Sequence, residues 1–256
     1  MQLPIYAPFI VAWPPADIRA ILSGANHILD PSLLLGPELG ISAGSFGASS
    51  IVTSGSRPIT LTKSGVITTS LVPGAFGAAY WETTVAGSGD EYLHTYGANP
   101  PSINNATLFA AIYYTAGSSC RLVELHSSRG MFYAPLNSGT GGVRAAINLV
   151  NYTSANNFLT SGVVNVISIT NVTTGGEARL EARRYTSAGV ITTALLNAGG
   201  AAYGDAANFN MFQQSAGGRL FHFAAFANVP SLAVGASLTR AQELTYGTWL
   251  AEECGL

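Results

Sequence analysis

Three side chains that alternate along one short segment are the clearest candidates for ligand contact. Tyr92, His94 and Tyr96 lie two residues apart in YLHTYG, so a β-strand would present all three on one face. An aromatic ring with a polar tip offers both apolar and polar contact, which suits the mixed surface of a sugar. The spacing predicts a glycan-binding strip. The alternative interpretation is packing of these rings in a core or an interface.

An acidic pair precedes that strip. Asp90 and Glu91 are adjacent in GSGDEYLHTYG, a segment whose glycines indicate a turn. Calcium takes several oxygen ligands, and carboxylates are the commonest of them. The pair therefore marks the one place where we consider calcium binding, and a solvated loop is the other reading. We expect no other cofactor.

Catalytic groups are harder to find. Glycosidases use two carboxylates that flank the scissile bond. Glu177 and Glu181 are four residues apart in EARLEARRY, but Arg179 and Arg183 alternate with them, so we expect ion pairs on the surface. The four histidines show no zinc-like spacing, and no nucleophile elbow or phosphate-binding loop occurs. We therefore expect no catalytic residues and no enzymatic activity.

The two cysteines leave the redox question open. Cys120 and Cys254 are far apart in the sequence, and spacing alone does not say whether they pair. Both a disulfide and two buried free thiols are compatible with the pattern.

The elements that must position these residues are short strands separated by Gly, Asn and Ser clusters. In EARLEARRY, period-two alternation predicts that Leu180 faces a core and that the charged residues face water. RLFHFAAFA is apolar on both faces, which is typical of a strand in the middle of a covered sheet. The predicted strands are Ile59–Leu61, Ala78–Val85, Thr107–Tyr114, Cys120–His126, Met131–Ala134, Val143–Val150, Val163–Thr170, Glu177–Tyr185, Val190–Leu196, Asn208–Gln213 and Arg219–Ala227.

The two ends of the chain differ from this pattern. Residues 1–45 are rich in proline and contain one predicted helix, 15–23, so we interpret them as an N-terminal arm that docks on a neighbour. Residues 46–256 form the predicted β domain. Near the C-terminus, Thr239 and Gln242 have the spacing of a capping box, which predicts a short helix. Leu238 and Leu244 are its predicted anchors.

The order of these last elements carries a family resemblance. GVVNVISITNVTTGGEARLEARRY, GVITTALL and then GGRLFHFAAFANVPSLAVGASLTRAQELTYGTWL follow one another. This order resembles the C-terminal half of concanavalin A-like, laminin G-like jelly-roll domains, with SLT and QEL at the closing helix. The resemblance covers roughly 160–250, and over 46–159 it extends only to the rhythm of the strands. It implies an all-β, antiparallel jelly-roll β-sandwich with a structural C-terminal helix.

Composition restricts the partners. Charged residues make up 9% of the 256 residues and Lys63 is the only lysine, whereas ordinary globular domains have about 25% charged residues. Charge is depleted in interface cores, so we expect a homo-oligomer or another assembly component. A net charge of −2 gives no electrostatic reason to bind nucleic acid. The prolines near the N-terminus interrupt any signal peptide, and no apolar run has the length of a membrane span.

These observations lead to three hypotheses. The first is a non-enzymatic bacteriophage virion protein, a capsid decoration or a tail or fibre component, assembled in the host cytoplasm and bound to other virion proteins through its arm. The high content of Gly, Ala, Ser and Thr resembles the composition of phage virion proteins. The second is a carbohydrate-binding receptor-recognition protein, which would contact cell-surface glycans. The third is a glycan-active jelly-roll enzyme.

Overall fold

The structure is a computed structural model of the chain. It describes residues 15–23, 28–30, 49–52, 59–65, 68–72, 80–85, 91–98, 100–115, 121–127, 130–135, 140–174, 176–202, 204–205, 207–211, 219–227 and 238–256.

Strands dominate this part of the chain. The helices are α1 (Ala16–Ser23) and α2 (Arg240–Glu253), and neither has the length and apolar character needed to cross a membrane. The strands are β1 (Ile28–Asp30), β2 (Ser50–Val52), β3 (Thr60–Ser64), β4 (Thr68–Val72), β5 (Tyr80–Val85), β6 (Glu91–Thr95), β7 (Asn105–Tyr114), β8 (Arg121–Ser127), β9 (Gly130–Pro135), β10 (Arg144–Ile147), β11 (Val150–Thr153), β12 (Val163–Val172), β13 (Arg179–Thr186), β14 (Gly189–Asn197), β15 (Asn208–Met211) and β16 (Arg219–Ala227).

The strands form two antiparallel sheets. The first, sheet A, has the order β14-β13-β12-β7-β16-β5-β4, and β1 pairs in addition with β16. The second, sheet B, has the order β11-β10-β9-β8-β15-β6-β3-β2. This arrangement confirms the predicted all-β, antiparallel β-sandwich with a C-terminal helix.

A continuous apolar core lies between the sheets. Sheet A contributes Leu108 and Phe223, and sheet B contributes Leu61, Leu125 and Phe209. The rings of Phe209 and Phe223, which come from opposite sheets, have centroids 5.5 Å apart. Alternate residues of β7 and of β16 supply this core, as expected when one face of each sheet is covered by the other sheet.

The outer face of sheet A is covered as well. Phe109 of β7 and Phe226 of β16 point away from the inter-sheet core and pack with Tyr246 of α2. β16 lies between β7 and β5, and its residues 223–227 are all buried. The prediction of a central strand covered on both faces is therefore confirmed, and the helices provide the second cover.

Several local features differ from the sequence prediction. Val143–Val150 is not one strand but the first arm and the turn of the β10–β11 hairpin. Asn148 and Leu149 have φ angles of 50° and 64°, the left-handed pair that a tight two-residue turn requires. Strands β1, β2 and β4 were not predicted, because three to five residues without a strong apolar alternation give little signal.

Helix α2 begins as predicted. Thr239 is its N-cap: the Thr239 side chain accepts from the Gln242 backbone, and the Gln242 side chain accepts from the Thr239 backbone N–H at 3.0 Å. Leu238, just before the cap, is 2% exposed, and Leu180 in β13 is completely buried. Both leucines therefore lie where structural anchors are expected.

The remaining predicted anchor, Leu244, requires a correction because it is 42% exposed. The face of α2 that contacts the sandwich contains Glu243, Tyr246, Gly247 and Leu250, which follow helical spacing. Leu244 comes one position after Glu243, so the helix turns it by about 100° away from the sheet. The sequence prediction placed the apolar face one residue off.

Parts of the predicted arm pack on the sandwich. Ile18 and Ile21 of α1 are buried with residues of α2, and β1 pairs with β16. Residues 1–14 and 31–48 lie outside the described residues. The boundary at residue 45 and the docking role of the arm stay predictions.

Candidate functional site

A shallow depression of about 370 Å³ lies on sheet B, where β3 runs beside β6. Its described lining is rich in hydroxyl groups. The lining residues are Thr60, Thr62, Lys63, Ser64, Leu93, His94 and Thr95.

The alternation of β3 explains this lining. Leu61 is completely buried in the inter-sheet core, and Thr60, Thr62 and Ser64 on either side of it are exposed. Thr62 lies opposite Leu93 of β6 in the antiparallel register. One face of the β3–β6 pair therefore joins hydroxyl groups to an apolar leucine, and this surface is open to solvent.

His94 is held in place at the edge of the depression. Its Nδ1 lies 3.1 Å from the carbonyl oxygen of Thr60. A carbonyl only accepts, so Nδ1 donates in this contact. The His94 ring also meets the Tyr96 ring edge-on, with centroids 4.8 Å apart. These two contacts fix the orientation of the imidazole.

The predicted aromatic strip is only partly assembled. Tyr92 is completely buried in the inter-sheet core, so it cannot stack on a ligand, and its assignment to the glycan strip is corrected. Tyr96 is partly buried and packs against that core. Of the three predicted residues, His94 lines the depression, Tyr96 touches His94, and Tyr92 lies in the core between the sheets.

Residues that the sequence prediction missed supply most of the lining. The hydroxyl groups of Thr60, Thr62 and Ser64 alternate with Leu61 and Lys63 in TLTKS. This period-two pattern was available in the sequence, but the predicted strand ended at Leu61. A strand extended to Ser64 would have placed the three hydroxyl groups on one face.

Calcium binding by Asp90 and Glu91 stays a prediction. Asp90 lies outside the described residues. Glu91 belongs to β6 and stands opposite Ser64, but its side chain also lies outside the description. The described part of the chain contains no group of three or more His, Cys, Asp or Glu side chains placed to hold a metal ion.

A second cluster of polar groups lies between α2 and sheet A. Glu243 is completely buried. Its Oε1 accepts from the Ser168 hydroxyl at 2.6 Å and from the Tyr185 hydroxyl at 3.1 Å. Its Oε2 accepts from Nη2 of Arg179 at 3.2 Å and lies 3.9 Å from Nη1 of Arg183. We call these five residues the Glu243 cluster.

The Glu243 cluster contradicts the prediction that the charged face of β13 is exposed to water. Arg179, Glu181 and Arg183 are 1%, 4% and 8% exposed, because α2 covers the charged side of the strand. The predicted ion pairs do form, with Nε of Arg183 2.6 Å from Oε1 of Glu181, but they are buried rather than on the surface. Only Glu177, whose side chain is 56% exposed, remains at the surface as predicted.

Burial and the neighbouring charges shift the pKa values of Arg183 and Tyr185. Burial alone would lower the pKa of Arg183, but the carboxylates of Glu243 and Glu181 outweigh it and raise the pKa. Burial, followed by the Glu243 carboxylate, raises the pKa of Tyr185 well above 10. Arg183 therefore stays charged and Tyr185 stays protonated. This arrangement holds a helix in place, and it offers no carboxylic acid to a substrate.

Cys254 lies at the end of α2 and is a buried free thiol. Burial, with a smaller effect of the Glu253 carboxylate, raises its pKa to about 12. It is therefore protonated and unreactive at neutral pH. Cys120 lies outside the described residues.

Comparisons with known proteins add a fold but no family. No protein-family model and no curated protein matches the chain. Among solved structures, the chain is similar to one of botulinum neurotoxin type C, whose cell entry is described as dependent upon interaction with two ganglioside molecules. The TM-score is 0.51 and the sequence identity 9%. The match covers 78% of this chain and 49% of that chain, so this chain spans about half of its length. At such identity, the likeness shows a shared fold alone.

Proposed function

We propose that this chain is a non-enzymatic structural protein of a bacteriophage-type virion and that its β-sandwich binds glycans of the host surface. The depression on β3 and β6 carries the glycan part of this proposal. Hydroxyl groups of Thr60, Thr62 and Thr95 both donate and accept, as recognition of sugar hydroxyl groups requires. Leu93 adds an apolar contact for the carbon face of a sugar ring.

The structural neighbour also supports glycan binding. The toxin with the similar fold depends on gangliosides, which are glycolipids, for cell entry. A β-sandwich of this kind is therefore compatible with glycan recognition. Because fold alone does not determine function, the depression and not the likeness has to carry the argument.

The absence of enzymatic activity is part of the proposal. Glycoside hydrolysis needs two carboxyl groups beside the scissile bond. The clustered carboxylates of Glu181 and Glu243 are buried and face arginines. None of the described side chains that line the depression carries a carboxylate. These placements favour a binding protein over the alternative of a glycan-active jelly-roll enzyme.

We also propose a family for this β-sandwich. A central strand, β16, is followed by a capped helix on the outer face of its sheet, in the order seen in concanavalin A-like, laminin G-like jelly rolls. We therefore place the chain among lectin-like jelly rolls. The helix acts as a structural cover in this arrangement.

The low charge content and the β14 edge of sheet A support the proposed role in a virion. Only 9% of the residues are charged, and this is typical of surfaces that neighbours cover. β14 ends the strand order of sheet A, contains no charged residue, and exposes 52% of Ile191 and 58% of Leu195. Natural edge strands usually carry charges against association. We propose a homo-oligomer that meets other virion proteins through the N-terminal segment.

A glycan array with the purified chain tests the glycan part. We expect binding to at least one glycan class. Thr62→Val removes one hydroxyl from the depression and should weaken that binding about fivefold, the value of one neutral hydrogen bond. Thr153→Val makes the same change at an exposed position of β11, at the other end of sheet B, and should have no effect. Absence of binding to every glycan would overturn this part of the proposal.

Light scattering on a sizing column tests the assembly part independently. We expect one stable oligomer of fixed size, and labelled chain should also bind phage particles that lack it. A monomer at all concentrations, together with no binding to particles, would contradict a virion role.

A further inference from the structure

The tip of the β10–β11 hairpin places a leucine in an unfavourable backbone conformation. Leu149 has a φ angle of 64°, in the left-handed region that glycine and asparagine tolerate best. The other described residues that combine a positive φ with a side chain, Asn148 and Asn157, are asparagines. A two-residue turn of this kind prefers the sequence Asn-Gly. Asn148 follows that preference, and Leu149 does not.

Packing does not explain this leucine either. Leu149 is 87% exposed, more than any other large apolar side chain of the described residues, and Val150 beside it is 49% exposed. Single exposed apolar residues are normal on protein surfaces, but here the exposure is combined with an unfavourable φ angle. Neither the turn nor the core requires a leucine at this position, so a contact outside the chain gives it a role.

The hairpin behind this tip carries no charge up to the start of β10. Arg144 and Glu177 are consecutive charged residues of the sequence, so residues 145–176 include none. Arg144 begins β10, opposite Thr153 of β11, and lies about 13 Å along the strand from the turn. Amphipathic helices that lie on membranes bury their apolar face by about 5–10 Å. At that depth of insertion, the hairpin would keep Arg144 at the level of the lipid head groups.

We propose that the tip of the β10–β11 hairpin, Leu149 and Val150, inserts into the surface of a lipid bilayer. Insertion has to be shallow, because β11 ends the strand order of sheet B among the described strands, and the backbone groups of an edge strand need water as a partner. A protein pocket is less suitable, since charged groups around an apolar anchor usually select a protein partner, and this hairpin has none beside its tip. The interaction goes beyond glycan binding and does not require it.

Flotation of the full chain with phosphatidylcholine vesicles, which carry no glycan, tests this inference. At millimolar lipid, the native chain should float with the vesicles. Leu149→Ala keeps the unfavourable turn but removes most of the apolar side chain, so it should weaken binding about tenfold, as expected when a leucine side chain no longer leaves water. Leu244→Ala is the matched control, because it makes the same change at another exposed leucine, on α2, and should leave binding unchanged.

Leu149→Gly separates this role from a structural one. Glycine suits the turn, so this variant should bind vesicles as weakly as Leu149→Ala and at the same time raise the midpoint of urea unfolding. A lower midpoint would show that the leucine stabilises the turn and would contradict the inference. A native chain that does not float would overturn lipid binding, and if Leu149→Ala then also loses binding to phage particles, the tip docks on a protein instead. The glycan array does not depend on these outcomes, so a failure here leaves the proposed function standing.

Discussion

Gly247 of α2 lies directly against the ring of Tyr185 in β13. A Cβ atom at Gly247 would be 2.5 Å from Cε1 of Tyr185, closer than non-bonded atoms approach. Glycine in a helix lowers stability by about 1 kcal/mol relative to alanine. The close contact with Tyr185 explains why a glycine occupies this position. The close approach also brings Glu243, one turn earlier, within 3.1 Å of the Tyr185 hydroxyl.

Gly247→Ala should therefore destabilise the protein although it improves helix propensity. The added methyl group has to displace a buried ring, and such overpacking costs about 1–3 kcal/mol. Urea unfolding measures the free energy of unfolding. Gly97→Ala is the matched control, because nothing lies within 4 Å of a Cβ atom there. A Gly247→Ala protein as stable as the native one would show that α2 does not rest on the Tyr185 ring.

Removal of the Glu243 carboxylate should be the most damaging single change in the Glu243 cluster. Glu243→Ala removes the fully buried carboxylate that pairs with the buried Arg179, and the loss of such a partner costs about 3–5 kcal/mol. Glu177→Ala also removes a carboxylate close to Arg179, but it lies at the surface and should cost less than about 1 kcal/mol. Equal losses of stability in the two variants, measured by urea unfolding, would contradict the buried role of Glu243.

The sequence predicted local features of this region but not their surroundings. The capping box of α2 involves residues three positions apart, so it was readable without knowledge of the fold. The alternation of β13 correctly divided its two faces. The sequence did not show that α2 covers the charged face, because that contact joins Arg179 and Glu243 across 64 positions. From the sequence alone, the charged face of β13 therefore had the pattern of a face exposed to solvent.

The candidate site also could not be predicted from local sequence patterns alone. Tyr92 and His94 share a spacing that predicts one face, yet Tyr92 is in the core and His94 is at the edge of the depression. Which face of a strand is inside depends on the opposite sheet, and no local pattern states it. The hydroxyl series of β3 becomes a site only because β6 lies beside it.

Alkaline pH should destabilise the fold. Burial raises the pKa of Tyr185 well above 10 and that of Cys254 to about 12. In the unfolded chain these groups ionise near pH 10 and 8.5. Their contribution to stability is therefore complete below about pH 8.5, and it is lost as the pH rises towards the folded pKa values. Each group lowers stability by about 1.4 kcal/mol per pH unit within its own window.

Urea unfolding at several pH values between about 8 and 12 checks this prediction. Cys254→Ala should flatten the first part of the decline, which starts near the ordinary pKa of a thiol. Tyr185→Phe should flatten the later part. A free energy of unfolding that stays constant to pH 11 in the native chain would contradict the burial of both groups.

Shortening the N-terminus should separate folding from assembly. Ile18 and Ile21 are 1% and 5% exposed and pack with α2. Deletion of residues 1–24 therefore removes two buried side chains and should lower stability by several kcal/mol, about 2–5 for each. Deletion of residues 1–14 spares α1 and should leave stability unchanged while it abolishes docking. Thermal unfolding and particle binding measure the two effects, and a shorter chain that still docks would exclude an arm.

Charges on the edge of sheet A should prevent self-association. Ile191 and Leu195 are exposed on β14, two positions on either side of Thr193. If two copies pair antiparallel about a two-fold axis at Thr193, Ile191 of each copy lies beside Leu195 of the other. The double variant Ile191→Lys/Leu195→Lys would then place like charges together, and the mass from light scattering should fall to that of one chain. The matched variant Leu149→Lys/Val150→Lys adds the same charge at the exposed β10–β11 turn and should keep the native mass. An oligomer that survives the β14 charges would locate the interface elsewhere on the chain.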